Sequence, residues 1–275
     1  YMDITAYKMD SLVNDFVIID QRIKNIEFSK EQIIKICDRN FIGCDQLIII
    51  KKNRELDAGL EFYNSDGSGS GACGNGTRCV AYLLSKENNN KEITVWTASG
   101  IIKTNILKDN LVESRTGVAK IKWNEIPINE NKNTKNLGIK ILDENNNEHI
   151  GGTAINVGNP HVIFFVENID NFNIQKIGPS IENNKLFPEK CNVTIAEVIN
   201  QNLIKVKVWE RGAGQTKACG TAACATAVAG NINGFTKART DIEFELGKLS
   251  IFLDEKNNVH MKGPVSEIKE IDIKF

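Results

Sequence analysis

Short segments rich in isoleucine and valine, bounded by glycine, asparagine and aspartate, recur along the whole chain. This pattern is typical of β-strands. The asparagine-rich segments at 129–136 (NENKNTKN) and 143–149 (DENNNEH) are instead predicted to be solvated loops. Eight strands are predicted: DFVIID (15–20), DQLIIIKK (45–52), EITVW (92–96), IIKTNIL (101–107), HVIFFVE (161–167), LIKVKVWE (203–210), IEFEL (242–246) and LSIFLD (249–254).

Three further segments have the length and apolar pattern of helices. Residues 29–40 place apolar side chains at helical spacing after Ser29, with Gln32 at the capping-box position, which predicts an amphipathic helix. The segments Thr77–Leu84 and Thr221–Ala229 are mostly apolar, and a helix that is apolar on all sides must be buried. We therefore predict an α/β (α+β) fold in which each half wraps a mixed β-sheet around one central buried helix.

The second half of the chain repeats the first at a nearly constant offset. Both halves contain Ala-Cys-Gly followed by a second cysteine. Two pseudo-symmetric domains are therefore expected, residues 1–118 with 264–275 and residues 119–263, with the active site in the cleft between them. The offset of 145–147 residues is shared by four anchor pairs, which are Asn14 and Asn159, Gln46 and Asn192, Cys73 and Cys219, and Gly100 and Gly247.

Composition and charge narrow the classes of function. The 275 residues are 41% hydrophobic and 25% charged, which is typical of a globular protein with a substantial core. A net charge of -1 offers no field to hold nucleic acid or an anionic membrane. No apolar run approaches the ~18 residues of a membrane span, and the first residues lack the features of a signal peptide. We expect a cytoplasmic protein.

Two of the seven cysteines occupy a special position. An odd number of cysteines without an export signal argues against a disulfide scaffold. Cys73 and Cys219 each stand before a glycine that opens a predicted buried helix. Because the N–H groups of a first helical turn stabilise anions, we expect lowered pKa values for both thiols. The same groups are predicted carboxylate sites, formed by Gly74, Asn75, Gly220 and Thr221.

A pseudo-twofold relation between the halves would place the two cysteines on opposite faces of one bound carbon atom. One thiolate would then remove a proton from one face, and the opposite thiol would return a proton to the other. This exchange inverts a stereocentre without any movement of the bases. The duplicated cysteines therefore predict a two-base isomerase.

The blocks YNSDGSGSGACGNGTRC (63–79) and ERGAGQTKACGTAACA (210–225), with VNDFV, CDQL, VGNPH and FPEKCNV elsewhere, resemble the diaminopimelate epimerase family. The resemblance runs from Asn14 to Leu249. It implies an isomerase, a homodimer without a cofactor, that interconverts LL- and meso-diaminopimelate for lysine and peptidoglycan synthesis. For the LL-to-meso direction it also implies that Cys73 donates and Cys219 accepts the proton, although the residues alone leave that assignment open.

The resemblance also implies roles for other residues of this chain. His161 and Glu210 match positions that tune the thiol pKa values. At two places the chain departs from the family pattern, with Val13 where a glycine is usual and Gly69 where an acidic residue is common. Substrate contacts are implied at Asn14, Gln46, Asn64, Gly74, Asn75, Asn159, Asn192, Glu210, Arg211, Gly220 and Thr221.

The two halves differ at one pair of positions that the offset aligns. Glu210 and Arg211 in the second half stand opposite Asn64 and Ser65 in the first. An ion pair on one side only suits a substrate with one reacting centre and one distal zwitterionic group. Arg211 is predicted to bind the distal carboxylate as a fork, and Glu210 to bind an ammonium group.

Other site chemistries fit the sequence less well. Residues 69–74 spell the dinucleotide pattern GxGxxG, but four residues separate it from the preceding strand and the second half lacks it. Cys79 and Cys224 lie inside apolar helices and are predicted to pack in the core. No histidine is close to a cysteine in sequence, which argues against a zinc site. A redox dithiol would normally carry C-x-x-C.

Two alternative functions remain at this point. Proline racemases and phenazine-type isomerases resemble the same duplicated scaffold, but they are not expected to carry Arg211 and a ring of asparagines for a second zwitterionic group. A non-enzymatic amino-acid-binding protein would explain the carboxylate sites, but not two thiols. Replacing either Cys73 or Cys219 by alanine separates these possibilities, because a binding protein keeps its affinity whereas an epimerase loses turnover.

Overall fold

The computed structural model describes residues 3–275, which form two compact units. The first unit is made of two separate chain segments and the second of one. One unit is built from the chain up to Arg115 together with Lys262–Phe275, and the other from Thr116–Met261. These limits lie within three residues of the boundaries expected from the repeat. No helix in the described part of the chain is long and apolar enough to cross a membrane.

The chain forms four α-helices and nineteen strands within residues 3–275. The helices are α1 (Lys30–Cys37), α2 (Gly74–Asn88), α3 (Ile174–Glu182) and α4 (Gly220–Ile232). The strands are β1 (Asp3–Ser11), β2 (Asn14–Asp20), β3 (Gln46–Lys51), β4 (Ala58–Asn64), β5 (Gly69–Ser70), β6 (Glu92–Thr97), β7 (Gly100–Ile106), β8 (Leu111–Val118), β9 (Ile139–Leu142), β10 (Glu148–Gly151), β11 (Thr153–Asn156), β12 (Pro160–Phe165), β13 (Asn192–Asn200), β14 (Leu203–Glu210), β15 (Gly214–Thr216), β16 (Arg239–Phe244), β17 (Gly247–Leu253), β18 (Asn258–Pro264) and β19 (Lys269–Lys274).

The first unit is a mixed sheet with a helix on each face. Strand β2 pairs in parallel with β3 and antiparallel with β1, while β4 pairs antiparallel with β3 and in parallel with β6. Phe16 and Ile18 of β2 pack in the same core as the apolar side of α2. Val17 and Ile19 pack in the opposite core with α1. Burial on both faces explains why β2 and β3 are continuous apolar runs rather than alternating ones.

The second unit repeats this order of strands and helices. Strand β12 pairs in parallel with β13 and antiparallel with β11, while β14 pairs antiparallel with β13 and in parallel with β16. Helix α3 takes the place of α1, and α4 takes the place of α2. Residues 222–230 of α4 are all buried. The prediction of a mixed sheet around a central buried helix in each half is confirmed.

Ends and loops show where local pattern was sufficient and where it was not. Ser29 caps α1 in a capping box with Gln32, as predicted. All eight predicted strands are present. The prediction of a loop over 143–149 is wrong at its end, because Glu148 and His149 pair with β9 in β10. The turn between these strands is stabilised by Asp143, whose Oδ2 accepts a hydrogen bond from the His149 ring at 3.0 Å.

Helix α3 and the last strand are not among the elements that the hydrophobic pattern predicted. The pattern predicts no helix at 174–182, yet Ile177 and Ile181 of α3 pack in the core of the second unit. Strand β19 pairs antiparallel with β1, which places the end of the chain in the first unit.

Replacing Gly178 of α3 by alanine should destabilise the protein by about 1–3 kcal/mol, as overpacking does. An added Cβ would lie 2.3 Å from Cγ of Trp209, whose side chain packs against the core of the second unit. Urea unfolding gives the free-energy change. Gly151→Ala is the matched control, because nothing lies within 4 Å of its added Cβ. Equal stability of the two variants would contradict this packing argument.

Candidate active site

Each central helix is capped by a cysteine in nearly the same backbone conformation. Cys73 caps α2 with φ -140° and ψ 120°, and Cys219 caps α4 with φ -148° and ψ 115°. The helices begin at Gly74 and Gly220, earlier than the apolar pattern indicated. Both cysteines therefore stand beside the N–H groups of a first helical turn, which have no intrahelical acceptor.

Sheet topology brings the other predicted residues of the first half to the same end of the sheet. Asn14 opens β2, Gln46 opens β3 and Asn64 closes β4. Because β2 and β3 are parallel and β4 is antiparallel to β3, these three positions lie at one sheet edge. Gln46 Nε2 donates to Asn64 Oδ1 at 2.9 Å, and Asn75 Nδ2 of α2 donates to Asn14 Oδ1 at 2.7 Å. We call this group the first half-site.

The second unit repeats the arrangement with a different set of side chains. His161 lies at the start of β12, Asn192 opens β13 and Glu210 closes β14. The parallel register of β12 and β13 sets His161 opposite Asn192. Asn192 Oδ1 accepts the backbone N–H of Arg211 at 2.7 Å. The second half-site comprises Asn159, His161, Asn192, Glu210, Arg211, Cys219, Gly220 and Thr221.

Thr221 links the histidine of the second half-site to its cysteine. Thr221 Oγ1 lies 3.1 Å from His161 Nε2 and 3.5 Å from Cys219 Sγ. The backbone N–H of Ala222 also donates to the sulfur, at 3.4 Å. The interaction of His161 with Cys219 therefore passes through a hydroxyl group.

His161 is neutral and its tautomer can be assigned. Burial lowers the pKa of His161 to about 3, and the positive charge of Arg211 acts in the same direction. Its Nε2 lies 2.9 Å from Asn159 Oδ1, whereas its buried Nδ1 has no hydrogen-bond partner among the described residues. A buried N–H without an acceptor costs more than an unused lone pair, so the proton belongs on Nε2. The hydroxyl of Thr221 is then available to donate to Cys219.

The expected lowering of the thiol pKa is wrong for Cys219. Burial raises the pKa of this thiol well above its ordinary value, and the Glu210 carboxylate raises it further. The Thr221 hydroxyl and the Ala222 N–H oppose these effects without overcoming them. Only 6% of Cys219 is exposed, so water does not compensate a charge there. Cys219 therefore holds its proton at neutral pH.

Replacing Glu210 by glutamine should lower the pKa of the Cys219 thiol, because the charge that opposes its ionisation is lost while burial remains. The thiolate fraction at a given pH then rises, and the pH midpoint of alkylation by iodoacetamide moves down. The rate at Cys219 is followed by peptide mass spectrometry. Glu243→Gln is the control, since Glu243 pairs instead with Lys205 and Lys248. A midpoint that stays in place or rises would contradict the assigned role.

The structure adds side chains that the sequence analysis did not single out. Arg78 of α2 is wholly buried and donates to Asn75 Oδ1. Asp45 accepts from Asn14 Nδ2 at 3.2 Å and pairs with Arg39 at 2.8 Å. An arginine inside an otherwise apolar helix was a usable signal, since buried charges are rare without a specific partner. Asp45 gave no comparable signal, because exposed aspartates are common.

Two solved structures share the fold of this chain at low sequence identity. A hydroxyproline epimerase from Agrobacterium vitis matches with a TM-score of 0.67 at 12% identity, over 99% of this chain and 92% of that one. A phenazine biosynthesis protein of the PhzF family from Bacillus anthracis matches with a TM-score of 0.66 at 15% identity, over all of both chains. These likenesses define the class, the fold shared by such epimerases and PhzF-family proteins.

Sequence matches are more specific. The family model for diaminopimelate epimerase matches residues 6–122 and 153–268. The diaminopimelate epimerase of Pelagibacter ubique is 67% identical over 274 residues, covering 100% of both chains. That of Acidiphilium cryptum is 38% identical, over 96% of this chain and 94% of its own. The chain belongs to the diaminopimelate epimerase family. The predicted family, fold class and enzyme class, an isomerase, are confirmed.

Proposed function

We propose that the protein interconverts LL- and meso-diaminopimelate by a two-base mechanism that uses Cys73 and Cys219. The observation that carries the proposal is the repeated cap: a cysteine with the same backbone conformation precedes a buried helix in each unit. Family membership and the matches to epimerases of that name support the substrate. The product would serve lysine and peptidoglycan synthesis.

The chemical step is a proton exchange at one α-carbon. A thiolate takes the α-proton, the electron pair of the broken C–H bond remains on the substrate, and the opposite thiol protonates the other face. After turnover the first cysteine is a thiol and the second a thiolate, so their roles exchange with reaction direction. The raised pKa of Cys219 supports the form in which Cys219 donates and Cys73 removes the proton.

Helix N-termini are proposed to stabilise the intermediate. An α-proton beside an ammonium group is weakly acidic, so negative charge that develops toward the carboxylate needs fixed donors. The first-turn N–H groups at Gly74 and Asn75, and at Gly220 and Thr221, are suited to this task. They belong to the backbone of buried helices, so they need no reorganisation during the reaction.

The distal end of the substrate is assigned to the second half-site. Arg211 uses one guanidinium nitrogen to donate to Glu189 O at 2.9 Å, and the rest of its planar fork suits a carboxylate. Glu210 is proposed to bind the distal ammonium group, and its charge also raises the pKa of the Cys219 thiol. Asn159, Asn192, Asn14, Gln46 and Asn64 are proposed to complete the substrate contacts.

Proton NMR of the reduced protein with LL-diaminopimelate in deuterium oxide tests this function. We expect deuterium at one α-carbon and the appearance of the meso isomer. If deuterium does not enter this substrate but does enter proline, the protein is a proline racemase instead. No exchange with either compound would favour a binding protein.

Assembly and location are also proposals. The family resemblance supports a homodimer in the cytoplasm. Trp96 and its cross-strand partner Ile101 are 45% and 58% exposed, an apolar pair that a partner subunit would cover. Sedimentation equilibrium tests the dimer, and Trp96→Glu should shift it toward monomer.

A further inference from the structure

A continuous row of hydrogen bonds runs through the first half-site from the core to the surface. The guanidinium of Arg78, wholly buried, donates to Asn75 Oδ1. Asn75 Nδ2 donates to Asn14 Oδ1 at 2.7 Å, and Asn14 Nδ2 donates to Asp45 Oδ2 at 3.2 Å. We call these four side chains the amide relay.

The ends of the amide relay determine its direction. A guanidinium can only donate hydrogen bonds and an ionised carboxylate can only accept them. The oxygen and nitrogen of an asparagine amide are nearly alike in shape, so either orientation would fit by size alone. With Arg78 at one end and Asp45 at the other, a reversed amide would set two donors or two acceptors against each other. Both amides are therefore restricted to one orientation.

The two ends are themselves held in place. Arg78 also donates to Ser11 Oγ at 3.1 Å. Gly263 packs against the guanidinium, where an added Cβ would lie 2.5 Å from Arg78 Nε. At the other end, Arg39 pairs with Asp45 at 2.8 Å. The amide relay thus runs between a buried fixed cation and a paired surface carboxylate.

We propose that Arg78 and Asp45 are positioning residues that lock Asn75 and Asn14 in the orientation that leaves each amide one N–H donor for a substrate carboxylate. This inference rests on the proposed function, in which both asparagines contact diaminopimelate. Asn75 is 3% exposed, and each amide nitrogen spends one of its two hydrogens within the relay. Two N–H donors that are fixed in this way bind a carboxylate, because both of its oxygens accept hydrogen bonds. A carboxamide on the ligand would turn its own N–H group toward one of these donors, so the site selects the carboxylate.

The second half-site is built differently at the same place. The repeat offset aligns Arg78 with Cys224, whose sulfur lies 4.0 Å from Met261 Sδ, and Asn75 with Thr221. A hydroxyl group rotates to suit its partner, so it needs no such lock. The amide relay is therefore a property of the first half alone.

A double-variant cycle tests the lock. Arg78→Gln and Asp45→Asn each replace an end of fixed polarity by an amide that can donate or accept. Each single variant keeps one end of fixed polarity, and that end still orients both amides, so kcat/KM should stay within about 2-fold of the wild type. The double variant frees both amides and should lose about 10-fold in kcat/KM, mainly through KM, as the loss of one oriented hydrogen bond does. This loss is greater than the product of the two single losses. Arg78→Lys still only donates, so its combination with Asp45→Asn should stay close to the wild type.

The exposed end provides a test that does not disturb the core. The side chain of Asp45 is 38% exposed, so Asp45→Lys should fold even where a change at Arg78 does not. This variant places a donor at both ends of the relay, so no orientation of Asn14 satisfies both of its neighbours. The probe is a monoamide of diaminopimelate, in which one carboxylate is a carboxamide, used as a competitive inhibitor. Its affinity relative to that of diaminopimelate should rise about 10-fold in Asp45→Lys. Asp20→Lys is the matched control, since Asp20 also pairs with an arginine, Arg22, but lies outside the relay.

The outcomes separate this inference from the function on which it rests. A double variant that loses no more than the product of its two single losses, or an unchanged preference for the carboxylate in Asp45→Lys, would overturn the lock while leaving the proposed epimerase activity intact. A wild-type protein that does not bind diaminopimelate would overturn both. A circular-dichroism melt of each variant identifies loss of folding, which would lower affinity for acid and monoamide in parallel.

Discussion

Replacing either Cys73 or Cys219 by alanine should lower the rate of diaminopimelate epimerisation by about 10²–10⁴-fold, the usual contribution of a general acid or base. Each thiol serves one face of the α-carbon in the proposed mechanism, so the remaining cysteine cannot complete an inversion. Substrate affinity should change little, because the helix N–H groups that bind the carboxylate belong to the backbone. The measurement is kcat in both directions, with binding followed by calorimetry.

Controls for this experiment lie in the same helices. Cys79 and Cys224 follow the capping cysteines and are 0% and 1% exposed, which fits a packing role. Their alanine variants should keep kcat within a few-fold of the wild type. They should lose only stability, because each leaves a small cavity in the core. Wild-type inversion by Cys219→Ala would refute the two-base mechanism. Equal losses in the capping and control variants would show that the effect is structural.

Replacing Arg211 by lysine should raise KM for diaminopimelate by about 10–100-fold, with a smaller change in kcat. A charge-assisted hydrogen bond contributes about 1.5–3 kcal/mol, and lysine cannot reproduce the planar fork that binds both oxygens of a carboxylate. The distal group takes no part in proton transfer, so the loss falls on binding. Steady-state kinetics with LL-diaminopimelate gives both constants.

Arg239→Lys is the control for this second change. Arg239 lies in the same unit, and its guanidinium stacks 4.4 Å from the ring of Phe252 rather than at the half-site. Its lysine variant should have the KM of the wild type. A normal KM in Arg211→Lys would remove Arg211 from the distal carboxylate site, while a fall in kcat alone would assign it to the chemical step.

Most of the fold followed from local pattern. The eight predicted strands are short segments with isoleucine or valine, and β2 and β3, which are buried on both faces, are continuous apolar runs. Helix α3 was missed although Ile174, Ile177 and Ile181 have helical spacing. Gly178 and Pro179 in its middle weaken the helical signal, and the close packing of Gly178 against Trp209 is visible only in three dimensions.

The half-sites show the same division between local and tertiary information. The cysteine at each helix start was evident from sequence, because a glycine and an apolar helix follow it. The sign of the pKa change at Cys219 was not, because the helix terminus favours the thiolate while burial and Glu210 favour the thiol. Which effect dominates depends on how completely the side chain is removed from water.

The sequence by itself therefore determined the duplication, the central helices, the positions of the two capping cysteines and the family. These features are encoded in spacing and residue type, which local propensity and repetition reveal. Tertiary structure alone decided the protonation of Cys219 and His161 and the link through Thr221. It also decided the amide relay, which joins Arg78 to Asp45 across 33 positions of the chain. Burial, charge and hydrogen-bond direction arise from residues distant in sequence, so no local pattern reports them.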